Sequence, residues 1–454
     1  MNWFLNWLNK KSPSSTRKVL YKANQTATAS NQNATSKIIP ALAECAQNLS
    51  PEQLKQFVPL RSLDDNTLSS LIHSTLIYPK DIIIFEYGQA SDCVYYLLEG
   101  EVSMQPDSDS HYDVKAGSSL AALPLNSGQT FGATCTSLTD VTLLKTPEDI
   151  NRLWTQYSEE QFSCVEVLDF ELPTEIANQH FFNSFAQAYR ENKLKLPSLP
   201  NVAFRLKDAM QRDIGIDEAV DILHMDTAIV AKLIQVANSP LYTSTTPIKN
   251  CHDAVIRIGL TATRNLVLGI SLKQLFNAKD KTLVQGMRKL WQNSLYVSSL
   301  SFVLAQECST INPEDALLAG LICDIGAIPL LHFAEQFPEQ YPSLTELEES
   351  LTFLRGPVGS LVLHTLGFPS ELTNIPNHAE NWLYDSSNEL TLADIVILAK
   401  LHSYVGTKST NQLPYINSVP AYAKINQGKL DPDFSLQVLH KAKNRIYAAM
   451  QLLS

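Results

Sequence analysis

The carboxylate of Asp324 stands near the end of an otherwise apolar run, Ala316 to Gly326. A run of that length and composition reads as a buried helix stopped by Gly326. A carboxylate in such a place needs a partner. One chemistry that would supply it is a divalent cation held by carboxylate and neutral imidazole together, polarising phosphate and activating water. His364, His378 and Asp394 lie downstream and could join Asp324 in a remnant polar site. The simpler assignment is that Asp324 caps amides or pairs with a base, while the two histidines hydrogen-bond in or beside the core. Cys323, its neighbour, would need a base and a thiolate-favouring environment to act as a nucleophile, and reads instead as an inert buried thiol. No metal and no other cofactor is expected.

The elements that must position these residues belong to a chain of 454 residues, enough for two or three domains. Its 44% hydrophobic and 18% charged content is that of a globular protein. A net charge of -11 argues against broad or specific nucleic-acid binding, which relies on clustered Lys and Arg. Residues 1 to 40 carry six basic side chains and no acidic one, which leaves 29 basic against 46 acidic residues in the rest. Seven scattered cysteines without a Cys-x-x-Cys pair form neither a disulfide framework nor a zinc knuckle, and a reducing cytoplasm is expected. No stretch is read as a membrane span or signal peptide.

Residues 1–40 read as a basic flexible tail whose amphipathic start, residues 1–11, is suited to weak membrane contact. A helix start is expected at Ser50, with Pro51 in the first turn and Gln53 at the capping-box position, and a second at Ser62. Short apolar runs follow at 81–85, 94–98, 101–104, 130–136 and 141–145, punctuated by Gly88, Gly100, Gly117 and Gly128. Their spacing predicts a small β-roll. From Pro147 onward helix signals take over. Asp226 should cap the helix that ends before Pro240, a helix is expected from Thr261 to Phe276, and a last one from Phe434 to Leu453.

The runs Phe57-Val58-Pro59-Leu60, Ile84 to Gly88 and Tyr95 to Val102 resemble the front half of a cyclic-nucleotide-binding domain, over about 50 to 155. That resemblance implies a ligand cassette at Gly117 to Leu125 and Phe131 to Thr134, with the phosphate-binding arginine and the ribose-binding glutamate inside it. The glutamate position falls on Ala122 and the arginine position on Phe131, and no arginine occurs from Leu120 to Leu144. A cyclic phosphate would lose its charge-assisted donor. A degenerate β-roll that packs on its neighbour is expected.

Leu196 to Pro200, Ile234 to Tyr242 and Ala254 to Leu260 resemble the HDOD family, an output domain related to HD phosphohydrolases and associated with bacterial signalling, over about 186 to 385. The resemblance implies an all-helical fold. It also implies where the superfamily's metal ligands would stand. The first histidine falls on Asn293, the His-Asp pair on Cys323 and Asp324, and the late aspartate on Lys400, where an ammonium would repel the ion.

The expected protein is therefore multidomain. A basic tail (1–40) precedes a degenerate β-roll with flanking helices (41–155), a helical linker (156–185), an all-α HD-related domain (186–385) and C-terminal helices packed on it (386–454). The expected function is non-catalytic bacterial signal transduction, as a pseudoenzyme whose helical domain engages another signalling protein. The alternatives are a metal-dependent phosphohydrolase acting on a nucleotide or cyclic dinucleotide, and a cyclic-nucleotide-responsive regulator.

Overall fold

The structure is a computed structural model, and it describes residues 43–45, 49–106, 110–161, 180–191, 198–210, 212, 214–239, 242, 246–308, 311–337, 344–404 and 413–425. The basic start and the helix expected at 434–453 lie outside the described residues, as does most of the linker. The protein has an N-terminal antiparallel β-roll and a C-terminal helical region, as the sequence led us to expect.

Two four-stranded antiparallel sheets form the roll. One has the order β1 (Ala43–Cys45), β2 (Ser74–Tyr78), β8 (Val141–Pro147), β4 (Cys93–Glu99). The other has β3 (Ile83–Phe85), β7 (Thr134–Ser137), β5 (Glu101–Gln105), β6 (Tyr112–Lys115). The period of two along β4 divides its side chains between two cores. Leu97 joins Val102, Met104, Phe131 and Leu143 inside the roll. Val94 and Tyr96 point the other way, onto Leu54, Leu60 and Leu68 of the leading helices and turns.

Those leading helices are α1 (Pro51–Leu54) and α2 (Asp65–Ser70). Ser50 and Gln53 form the expected reciprocal cap of α1. The second start differs from expectation. Ser62 closes a 3-10 turn, and Asp64 is the N-cap, its Oδ1 accepting from Asn66 N and Thr67 N. The carboxylate wins because it reaches two amides at once. β2 follows Leu68, Leu71 and Ile72, which are apolar and helically spaced, with no turn signal between, and it was absent from the expected strands, as were β1 and β6. After β8 the chain enters α3 (Ile150–Gln161), which lies along the seam with the helical region.

The helical region runs through α4 (His180–Arg190), α5 (Asn201–Met210), α6 (Ile216–Leu223), α7 (Thr227–Ala237), α8 (Cys251–Ile258) and α9 (Leu260–Leu272). Asp226 caps α7 as expected, its Oδ1 accepting from Ala228 N at 2.9 Å and Ile229 N at 3.2 Å. Then come α10 (Lys281–Cys308), α11 (Pro313–Ile322), α12 (Ala327–Gln336), α13 (Leu344–Thr365), α14 (Ser370–Thr373), α15 (Ile375–His378), α16 (Leu392–Ser403) and α17 (Pro420–Lys424). α10 is the axle, with α11 and α16 packed along it. The α10–α11 approach is close enough that a Cβ on Gly320 would stand 2.7 Å from Ser298 Cα. Contrary to the sequence reading, Pro313–Gln336 has the length and hydropathy of a membrane-crossing helix, but 94% of its apolar window is buried in this core.

Gly326 also departs from its expected role. Its φ is -66°, ordinary right-handed backbone, so it does not stop the helix by a left-handed turn. Space is what it supplies: a Cβ there would lie 2.0 Å from Arg355 O and 2.4 Å from Gly359 N. α13 thereby packs directly against the turn that follows Asp324.

The two regions meet at Asp385, which is 3% exposed. Its carboxylate faces Arg152 of α3 at 3.5 Å and Lys424 of α17 at 3.0 Å, and its backbone N–H donates to Thr155 Oγ1 at 2.9 Å. Across the roll, the ring of Tyr415 stacks on Tyr112 at 3.5 Å, and Asn417 Nδ2 donates to the Tyr112 hydroxyl at 3.1 Å. Gly132 leaves room for this strap, since a Cβ there would collide with Asn417 O at 2.2 Å. Truncation of Asp385 would leave Lys424 with Asp394 alone and Arg152 of α3 with Asn388 alone. We expect Asp385→Ala to lower stability by about 1–3 kcal/mol and to weaken the coupling between the two regions, seen as a broader calorimetric unfolding transition.

Candidate functional site

Four helices deliver the side chains around Asp324. The turn after α11 carries Cys323 and Asp324, α10 carries Asn293, α13 carries Arg355, and α16 carries Lys400. Asp324 and Lys400 are each 1% exposed, and the Lys400 ammonium sits on Asp324 Oδ2. Arg355 approaches the other oxygen, Nε to Oδ1 at 3.2 Å. Its Nη2 engages Glu380 Oε2. Lys400 Nζ lies 3.6 Å from Glu380 Oε1, and the Tyr404 hydroxyl donates to the same oxygen. Asn293 Nδ2 adds a long bond to Asp324 Oδ2 at 3.5 Å.

The result is a closed set of two carboxylates and two cations. Burial alone would raise the Asp324 carboxyl, but Lys400 and Arg355 outweigh it and hold the group below the usual carboxylate range. Glu380 behaves alike: burial opposes its charge, and Arg355 and Lys400 restore it. Burial would neutralise Lys400, and Asp324 drives its pKa up instead. Cys323 is fully buried, and burial first, then the Asp324 charge, pushes its thiol well up. A protonated thiol is no nucleophile at neutral pH.

Of the positions read from the sequence, Asn293, Cys323, Asp324 and Lys400 are thus brought to one place. The proposed cluster of Asp324, His364, His378 and Asp394 is not. His364 is exposed on the last turn of α13. His378 packs against Tyr384 in a tilted ring contact, centroids 4.1 Å apart, and lies 3.7 Å from Glu159 of α3. Asp394 caps its own helix, accepting from Thr391 N at 2.8 Å, and pairs with Lys424 at 3.1 Å. The reason is helix geometry: Asp394 and Lys400 share α16 but stand about 9 Å apart along it. Among the described residues no group of three His, Cys, Asp or Glu side chains is placed to hold a metal ion.

Arg355, Glu380 and Tyr404 were missed. Arg355 had a visible signal, since Leu351, Leu354, Arg355, Val358 and Val362 form one helical stripe and a cation on the core face must find an anion. Glu380 and Tyr404 gave no comparable sign.

In the roll, Ala122 offers only its backbone, its carbonyl accepting from Val58 N at 2.8 Å. Phe131 is buried, stacked on Phe85 at 4.2 Å and 6.4 Å from Tyr95. Aromatic carbon therefore fills the cassette position where the resemblance placed a guanidinium.

Comparison with known proteins agrees with this architecture. The HDOD domain model matches residues 196–382, and the cyclic nucleotide-binding domain model matches residues 75–157. The chain therefore carries an HDOD domain behind a cyclic nucleotide-binding domain, a pairing that marks a signalling or regulatory protein. An uncharacterized protein of Treponema pallidum is 21% identical over 154 residues, 34% of this chain and 29% of that one, so the match spans less than a third of that relative. A crystal structure named "Putative metal-dependent phosphohydrolase", from Shewanella amazonensis, is 24% identical, with a TM-score of 0.49, covering 60% of this chain and 97% of its own. An HDOD domain protein of unknown function from Geobacter sulfurreducens is 20% identical, with a TM-score of 0.46 and the same coverage.

Two outcomes test the site. Lys400→Met leaves Asp324 with Arg355 alone and should cost about 3 to 5 kcal/mol in urea unfolding, while adding Asp324→Asn should return at least half of that. His378 supplies a pH dependence. Burial pulls its pKa down to about 4 in the folded protein, against about 6.5 unfolded. Its folded form therefore refuses a proton that the unfolded chain accepts. The stabilisation is present above pH 6.5 and is lost as pH falls towards 4. Between pH 7 and 5 we expect a loss of about 2 kcal/mol, and a shallower slope in His378→Asn.

Proposed function

We propose that the protein is a non-catalytic regulator: the cyclic-nucleotide-binding-like roll sets the posture of the HDOD domain, which offers a face to another signalling protein. The observation that carries this reading is the occupancy of Asp324. An HD-type hydrolase keeps its carboxylate for a divalent ion and leaves coordination positions open to water and substrate. Here an ammonium and a guanidinium, both covalently part of the chain, neutralise Asp324, Lys400 by a hydrogen bond to Oδ2 and Arg355 as an ion pair beside Oδ1. A metal entering would have to displace two buried cations and would meet Asn293 and Cys323 in place of imidazoles.

The roll supports the same reading. With Phe131 stacked inside it and no arginine in the cassette, it lacks the donor that a cyclic phosphate requires. What it has is a seam. Asp385, the Tyr112–Tyr415 stack and Asn417 join roll and helices through side chains from both, so a change of roll packing is felt at α16 and α17. A signal acts by favouring one packing over another.

Elemental analysis of the purified, tag-free protein tests the reading, together with hydrolysis of bis(p-nitrophenyl) phosphate in added manganese. We expect neither stoichiometric metal nor turnover. Near-stoichiometric manganese, iron or zinc that Asp324→Ala removes, with hydrolysis lost in the same variant, would overturn it.

A further inference from the structure

Between the roll and the helical region lies a cleft of about 670 Å³, within the range of small-molecule sites. Of the cassette of the roll it touches Leu123 alone, and it lies away from Phe131. One wall comes from the roll and its trailing helix, with Arg61, Leu123, Trp154 and Glu159. The other comes from the helical region, with Phe353 and Trp382. Its floor includes Arg355 and Glu380, the two members of the buried charge network that reach solvent-accessible space.

The lining specifies a ligand. Each module contributes an indole, Trp154 and Trp382, both half-buried, and Phe353 adds a third ring. Aromatic rings lining a cleft favour a planar π-system, because every base presents a face that can stack on them. Asn374, Asn377 and Asn381 put three carboxamides on the helical wall. Asn374 is exposed and Asn377 half-buried, so their carboxamides are within reach of a ligand's polar edge.

Charge narrows the class further. Glu380 is held by Arg355, Lys400 and Tyr404. Glu159 lies beside His378. Arg61 is exposed and has no ion-pair partner among the described residues, while Arg355 spends Nε and Nη2 on the two carboxylates. One guanidinium not committed to a carboxylate matches one small anionic group.

We propose that this interdomain cleft binds a purine nucleoside monophosphate, its base among Trp154, Trp382 and the asparagine carboxamides and its phosphate at Arg61. Such a ligand touches both modules at once and fixes their relative packing. This goes beyond the regulatory reading, because binding is measured directly and its failure leaves the metal and hydrolysis results untouched.

The test uses the full-length protein and four probes: adenosine 5′-monophosphate, guanosine 5′-monophosphate, adenosine and ribose 5-phosphate. Binding is followed by quenching of tryptophan fluorescence and by calorimetry. At least one monophosphate should bind with a Kd below about 100 µM, adenosine should bind at least tenfold more weakly than its monophosphate, and ribose 5-phosphate should not quench. Arg61→Ala, a surface change that leaves the fold intact by circular dichroism, should weaken the monophosphate about tenfold and leave adenosine unchanged. Trp382→Leu should weaken both. If neither monophosphate binds up to about 1 mM, or binding survives both substitutions unchanged, the proposal is wrong. Equal affinity for ribose 5-phosphate would also reject it, since that means an anion site with no base recognition.

Discussion

A carboxylate with 1% of its surface exposed, Asp324, sits where four helices meet, and the packing of the helical region follows from how it is kept charged. An isolated ion there would cost several kcal/mol of lost hydration. Lys400 and Arg355 must therefore arrive on opposite oxygens, which fixes the rotation of α16 and α13 about their own axes. Bringing two cations in creates a second debt of the opposite sign, and Glu380 with Tyr404 settles it. The set is neutral as a whole, and only then does it suit a core of Leu, Ile and Val. Glycine does the rest: Gly326 against Arg355 O and Gly320 against Ser298 let backbones approach to distances that no Cβ would allow.

The roll solves a similar problem with carbon in place of charge. The region that the cyclic nucleotide-binding resemblance assigns to a ligand is closed from within by Phe131, Phe85 and Tyr95, and covered from outside by the Tyr415–Asn417 strap. Rings stacked in a dry interior need no counter-ion. The interior is thus stable without a guest, and the strap gives the roll a covalently tethered neighbour. Both modules have filled the places where their families' ligands would be expected, one with cations and the other with aromatic rings.

Much of this was legible in the sequence and some was not, for physical reasons. Strands bounded by glycine, the caps at Ser50 and Asp226, and the order of helix motifs are local signals, and the structure carries them. Asp64 outbid Ser62 because two amides were in reach of one carboxylate, a matter of geometry within a turn. β2 escaped because its five residues continue an apolar stripe with no turn signal before it. At the site, Lys400 could be placed opposite Asp324 by resemblance and helix register. Arg355 could have been found from its place on an apolar stripe. Glu380 could not, since it lies between a short helix and a loop and is drawn in only once both cations are placed. The grouping of Asp324 with His364, His378 and Asp394 failed because shared residue type says nothing about which way a helix turns them.

A metal and a lysine at the same carboxylate differ in more than charge. A metal is exchangeable and keeps positions open for water, so its site can do chemistry and can be emptied. Lys400 is bonded to α16 and cannot leave without moving that helix. The charge network is therefore a mechanical joint among α10, α11, α13 and α16, and any change that reaches Arg355 or Glu380 is passed on to Asp324 and Lys400 through contacts that cannot lengthen cheaply in a buried, low-dielectric site. Arg355 and Glu380 are also the members that line the interdomain cleft. The network around Asp324 is thus the stiff end of a lever whose free end, Arg355 and Glu380, faces the other module, and that placement suits the fold to regulation.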